Sequence, residues 1–190
     1  MSKFKTSLLT LASAVAIFGA TSASAASFEV WNGSAWVSTG TTNFTGPTTA
    51  SYLGNPAPCD ANFAVSITGG VATVTSATFT GSSTCTGIIA YTPWPMSAPT
   101  PYTGANPPFT GAPTLTPSLY NVSISGVRIY LPPALNVYCP SSTGTGTVTG
   151  VLDSANRFVF KSTLGPCAVQ TRTNAAPNAL VANPAVRVVP

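Results

Sequence analysis

No histidine occurs in the chain. That absence removes the Ser-His-Asp triad, the Cys-His dyad and histidine-based metal sites together. Acidic residues are almost as scarce: Glu29, Asp60 and Asp153 are the whole set. A glycosidase needs two carboxyls at a set separation across a sugar ring. Here Asp60 stands beside Cys59 and Asp153 falls in an expected hairpin turn, where turn chemistry and solvation are the ordinary roles. Lys161 alternates with Phe158 and Phe160 and is expected to point to solvent; no motif couples it to a serine. With no C-x-x-C, zinc and redox chemistry lack a framework. No catalytic residue, cofactor or metal is assigned, and the chain reads as a non-enzyme.

Charge of either sign is in short supply. Only 5% of residues are Asp, Glu, Lys or Arg, against ~25% in ordinary soluble domains. Polarity comes from Thr, Ser, Asn and Gly instead. Disordered chains show high charge with few aromatic and β-branched residues, the reverse of this composition, so the chain is expected to fold. Beyond the N-terminus the basic residues are Arg128, Arg157, Lys161, Arg172 and Arg187, and they do not cluster. Nucleic acid and anionic membranes are therefore not expected partners. A weakly charged surface permits self-association and adsorption to apolar surfaces.

Long apolar runs are missing after the start of the chain. Lys3 and Lys5 precede a mostly apolar run from Leu8 to Phe18, and Ala23-Ser24-Ala25 supplies an A-x-A site. These are the parts of a cleaved export signal over residues 1–25. The run is too short for a membrane span, which needs ~20 residues. No cysteine stands at the cleavage point, which argues against a lipoprotein. Residues 26–190 form the expected domain, exported to the surface or medium, with the periplasm as another address. Four cysteines, Cys59, Cys85, Cys139 and Cys167, read in that setting as two disulfides. Of three possible pairings, Cys59–Cys85 and Cys139–Cys167 are favoured, because each pair brackets one candidate hairpin region.

Helical periodicity is nearly absent, and 18 prolines and 16 glycines punctuate the chain. Strand signals are frequent. Phe28–Trp31 and Ser34–Val37 flank Asn32-Gly33, a pair suited to a two-residue type I′ turn. Asn62–Thr68 and Val71–Thr80 flank Gly69-Gly70; a tight turn there sets Ile67 opposite Ala72 and Val65 opposite Val74. Leu119–Leu131 changes its apolar parity at Gly126, which predicts a bulge or bend. Leu135–Cys139 predicts a short strand, Gly146–Leu152 and Arg157–Thr163 a hairpin, and Val186–Val189 a closing strand. Between 92 and 117 eight prolines predict a long loop outside the sheet. Its rings, Trp94, Tyr102 and Phe109, either pin it to the domain or form an aromatic contact surface. The sum is an all-β fold, a single antiparallel β-sandwich or barrel-like domain.

The element Cys59-Asp60-Ala61-Asn62-Phe63, the run Gly69-Gly70-Val71-Ala72-Thr73-Val74-Thr75-Ser76, and Phe79-Thr80-Gly81 before Cys85 carry a resemblance. With Cys139-Pro140-Ser141 and Leu164-Gly165-Pro166-Cys167, the chain resembles the small secreted bacterial proteins named protein activators of alkane oxidation. The resemblance implies a signal peptide, one all-β domain with paired cysteines, and help in growth on hydrocarbons outside the cytoplasm. It supplies no catalytic residues. The expected function is adsorption and association, as a hydrocarbon-contact or biofilm-matrix factor with Trp94, Tyr102 and Phe109 as contact residues. The alternatives are a structural subunit of a surface fibre and a sugar- or lipid-binding module.

Overall fold

Period-two alternation carries most of the chain into strands. A computed structural model describes residues 25–190; the expected export signal lies, but for its last residue, outside the described residues. In chain order the elements are β1 (Ser27–Trp31), β2 (Trp36–Val37), β3 (Gly40–Tyr52), β4 (Asn55–Thr68), β5 (Val71–Thr80), the one-turn helix α1 (Ser83–Thr86), β6 (Ile89–Ala90), β7 (Trp94–Pro95) and β8 (Thr100–Pro101). There follow β9 (Leu119–Val127), β10 (Ile129–Leu131), β11 (Val137–Cys139), β12 (Gly146–Asp153), β13 (Arg157–Leu164), β14 (Cys167–Thr171), β15 (Leu180–Asn183) and β16 (Val186–Val189). A ten-stranded sheet runs β7-β5-β4-β3-β14-β13-β12-β9-β8, with β15 between β13 and β3. Two three-stranded sheets, β16-β1-β2 and β11-β10-β6, flank it. Every pairing between these strands is antiparallel.

The large sheet curls until its two ends meet a common strap. Met96 N donates to Ala72 O on β5 at 3.0 Å, and Ser97 N donates to Ser123 O on β9 at 2.7 Å. Residues 94–97 thus bridge β5 to β9 and make the fold barrel-like, around a core that includes Val65, Ile67, Val74, Val122, Phe158 and Leu180. The expectation that this proline-rich stretch stays outside the sheet is corrected at its start. Trp94 and Pro95 pair with β5, and Thr100 and Pro101 pair with β9. Each pairing is at a sheet margin, where proline is tolerated because one side of the strand needs no ladder bond.

Turn chemistry sets the registers. Gly69 and Gly70 both take positive φ, and Val65 lies opposite Val74 and Ile67 opposite Ala72. Phe63, on the same strand, is only half-buried. At Gly126, with φ of 71°, the β9–β12 register shifts: Ile124 faces Val148 whereas Val127 faces Gly146. The extra residue reverses the parity, so Val122 and Ile124 before it and Val127, Ile129 and Leu131 after it are all buried. The first hairpin departs from expectation. Val30 pairs with Val37 and Trp31 with Trp36, leaving a four-residue connection, 32–35, in place of a two-residue turn. The Asn32 carboxamide oxygen accepts from Ser34 N at 3.0 Å and Ala35 N at 2.8 Å, an Asx turn that lengthens the loop. The gain is the Val30–Val37 pair and an edge-on Trp31–Trp36 contact at 5.5 Å.

Candidate functional site

Trp94, expected at a contact surface, is 4% exposed and belongs to the core. Its indole N–H donates to Tyr91 O at 2.8 Å, so the ring is satisfied inside. Tyr102 and Phe109 are half-buried. They pack with Leu119 on a second apolar cluster, Leu115, Val151, Val159 and Ala179, on the outer side of β12 and β13. That cover explains why Gly150–Asp153 and Phe158–Phe160 alternate little: Val151 and Val159 pack under the loop, and Leu152, Phe158 and Phe160 join the main core. The three rings therefore do not converge on one surface.

The carboxylates are committed. Asp153 is buried, not solvated: it accepts from Thr116 N, Ala155 N and Arg157 N and pairs with the Arg157 guanidinium at 2.7 Å. Asp60 pairs with Arg172 at 2.9 Å and Glu29 with Arg187 at 2.6 Å. Among the described residues no three Cys, Asp or Glu side chains come together as metal ligands. An apolar cavity of about 60 Å³ lies within the barrel between Phe79, Trp94 and Phe160. It is well below the ~150 Å³ of an interior cavity known to admit benzene.

A different set of aromatics faces outward. In the sheet β11-β10-β6, Tyr130 lies opposite Tyr138 on one side and Ile89 on the other. Their neighbours Ile129, Leu131 and Cys139 are buried, so the pleat turns Ile89, Tyr130 and Tyr138 away from the core as one cross-strand row. Ile89 is 50% exposed and Tyr138 36%. The Tyr130 and Tyr138 ring centroids are 4.8 Å apart, and Tyr91 lies 6.4 Å from Tyr138. The Arg128 guanidinium stacks 4.0 Å from the Tyr91 ring centre and donates to Ser142 O at 3.0 Å. The Tyr130 hydroxyl donates to the Asn136 carboxamide at 2.7 Å, which fixes the ring. Hydrogen bonding with the neighbouring Tyr138 hydroxyl, then burial, pushes the Tyr91 phenol above its ordinary 10.0, against the pull of Arg128.

Both disulfides hold this small sheet in place. Cys139, on β11, is bonded to Cys167 on β14. Cys59, on β4, is bonded to Cys85 in α1, which leads into β6. Two flanks of the row are thereby anchored to the large sheet. Sequence reasoning passed over the row, although the triplets Ile129-Tyr130-Leu131 and Val137-Tyr138-Cys139 each place a tyrosine between two apolar residues.

Compared with known families, the chain matches the alkane oxidation protein activator PraA/PraB-like family over residues 1–190. No curated protein and no solved structure matches it.

Proposed function

Given that the chain belongs to the PraA/PraB-like family of alkane oxidation protein activators, we propose that it acts without catalysis, by adsorption and association at hydrocarbon or cell surfaces. The contact is made by the Ile89–Tyr130–Tyr138 row, and the exposure of Ile89 and Tyr138, on either side of the half-buried Tyr130, is the observation that carries the reading. Each side chain withdrawn from water contributes ~1.5–3 kcal/mol at full burial. A tyrosine also suits a boundary, because its ring is apolar while its hydroxyl stays wet. The fate of the acidic residues supports the non-enzymatic part: all three are bound to arginine, which leaves no unengaged carboxylate for general acid–base chemistry. The interior cavity is too small for an alkane chain, which directs hydrocarbon contact to the exterior. Two disulfides fit an exported protein, and among the described residues no helix is long and apolar enough to cross a membrane.

A fibre subunit joined by strand addition would present a groove awaiting a strand. The observed terminal strand β1 is already seated beside β16, with Phe28 and Val30 in the core, so that reading has less support. Fractionation of the native host grown with and without alkane tests the proposal. The protein is expected with cells and droplets during growth on alkane. Recovery only from the droplet-free aqueous phase would contradict an adsorptive role.

A further inference from the structure

The loop over 102–117 leaves a cleft of about 270 Å³ between itself and the outer face of β12 and β13. Tyr102 and Phe109 line it with half-buried rings, Val151 and Val159 contribute buried apolar surface, and Thr149 and Lys161 are its exposed members. The cleft exceeds the ~150 Å³ that holds benzene and approaches the ~300 Å³ at the lower end of ligand sites. Its polar groups are mostly engaged within the protein. The Tyr102 hydroxyl donates to Ala105 O at 2.8 Å, and the Asn121 amide donates to Pro101 O at 3.2 Å. Lys161 is different. Every acidic side chain of the protein is paired with an arginine, and the Lys161 ammonium has no ion-pair partner among the described residues.

One uncompensated ammonium beside an aromatic and aliphatic wall selects a ligand with a single anionic head and an apolar body. A neutral sugar would need several free donors and acceptors set together, whereas the Tyr102 hydroxyl proton is given to Ala105 O and the Asn121 carboxamide, with one N–H on Pro101 O, is the one side-chain amide in the lining. We infer that this cleft binds an organic monocarboxylate with a short alkyl tail, its carboxylate on Lys161 and its tail against Tyr102, Phe109 and Val151. The site lies apart from the Tyr130–Tyr138 row and does not depend on the adsorptive reading.

The test titrates the folded, disulfide-bonded protein with octanoate, acetate and octanol below micelle-forming concentrations, followed by amide NMR. Octanoate is expected to shift the Thr149, Gly150 and Val151 amides saturably, with affinity at least tenfold above acetate, which lacks the tail, and octanol, which lacks the charge. Lys161→Gln changes an exposed position and leaves the packing alone. It is expected to weaken octanoate at least tenfold while leaving octanol's effect unchanged. The inference is overturned if octanoate produces no saturable shift, if octanol binds as tightly, or if the Lys161→Gln protein binds octanoate undiminished.

Discussion

Replacing Trp94 by alanine is expected to cost about 3–5 kcal/mol of stability, the usual loss for a large buried aromatic, because the ring is packed in the core and its N–H is satisfied there. Urea unfolding checks this; a loss under 1 kcal/mol would mean the ring is not core. Tyr91 gives a second prediction. Its phenol is held above 10.0, so the folded state favours the protonated form. That contribution is complete below the unfolded value and is lost as pH rises through the folded one. Ultraviolet titration of phenolate should lose a late-ionising component in Tyr91→Phe, since the Tyr91 phenol is raised above its ordinary 10.0. In Tyr138→Phe the same group should ionise earlier, because the hydrogen-bonding neighbour is gone. Residue roles of this kind were only partly legible in the sequence. Alternation placed Val65, Ile67 and Val74 inside. It left open whether Trp94 pins the loop inward or faces a contact surface, because the prolines around it masked a marginal strand pairing.

The β12–β13 hairpin and the proline-rich loop form one unit through Asp153. Its carboxylate receives Thr116 N from the loop at 2.9 Å and Arg157 N from β13 at 2.8 Å, with no side-chain exposure. Asp153→Ala leaves the Arg157 guanidinium and three N–H groups without their acceptor. The change should therefore destabilise the protein by about 3–5 kcal/mol, as breaking a buried pair does, and loosen the loop first. Hydrogen exchange at Thr116 and Leu115, rising before global unfolding, is the readout; unchanged protection would contradict this linkage. Hairpins announced by Gly69-Gly70 and by Asp153–Asn156 were readable because their turns are short and their flanks alternate. Strand β3 was not. At Gly46-Pro47 the strand changes partners, from β15 at Thr45 to β14 at Thr48. Only glycine fits at 46, since a Cβ there would approach Ala179 O to 2.3 Å. The aromatic row was hidden for a related reason. Its register joins Ile89 to Tyr130 across some forty residues, a pairing no local pattern encodes.

At the scale of the whole molecule, the barrel interior keeps an apolar cavity of only about 60 Å³ and each acidic side chain is paired with an arginine, so the proposed function is assigned to the exterior. Weak charge removes the repulsion that ordinarily keeps proteins apart and away from surfaces. In the proposed reading, the cross-strand row on the disulfide-anchored small sheet is the surface that adsorbs. The measurement that tests this most directly is the adsorption isotherm at a hexadecane–water interface. Wild type should be compared with Ile89→Ser/Tyr130→Ser/Tyr138→Ser and with the loop variant Tyr102→Ser/Phe109→Ser, all three proteins verified as folded. The account predicts that the row variant loses at least tenfold in apparent affinity while the loop variant stays close to wild type. Equal adsorption by wild type and the row variant, or no adsorption by wild type, would contradict it.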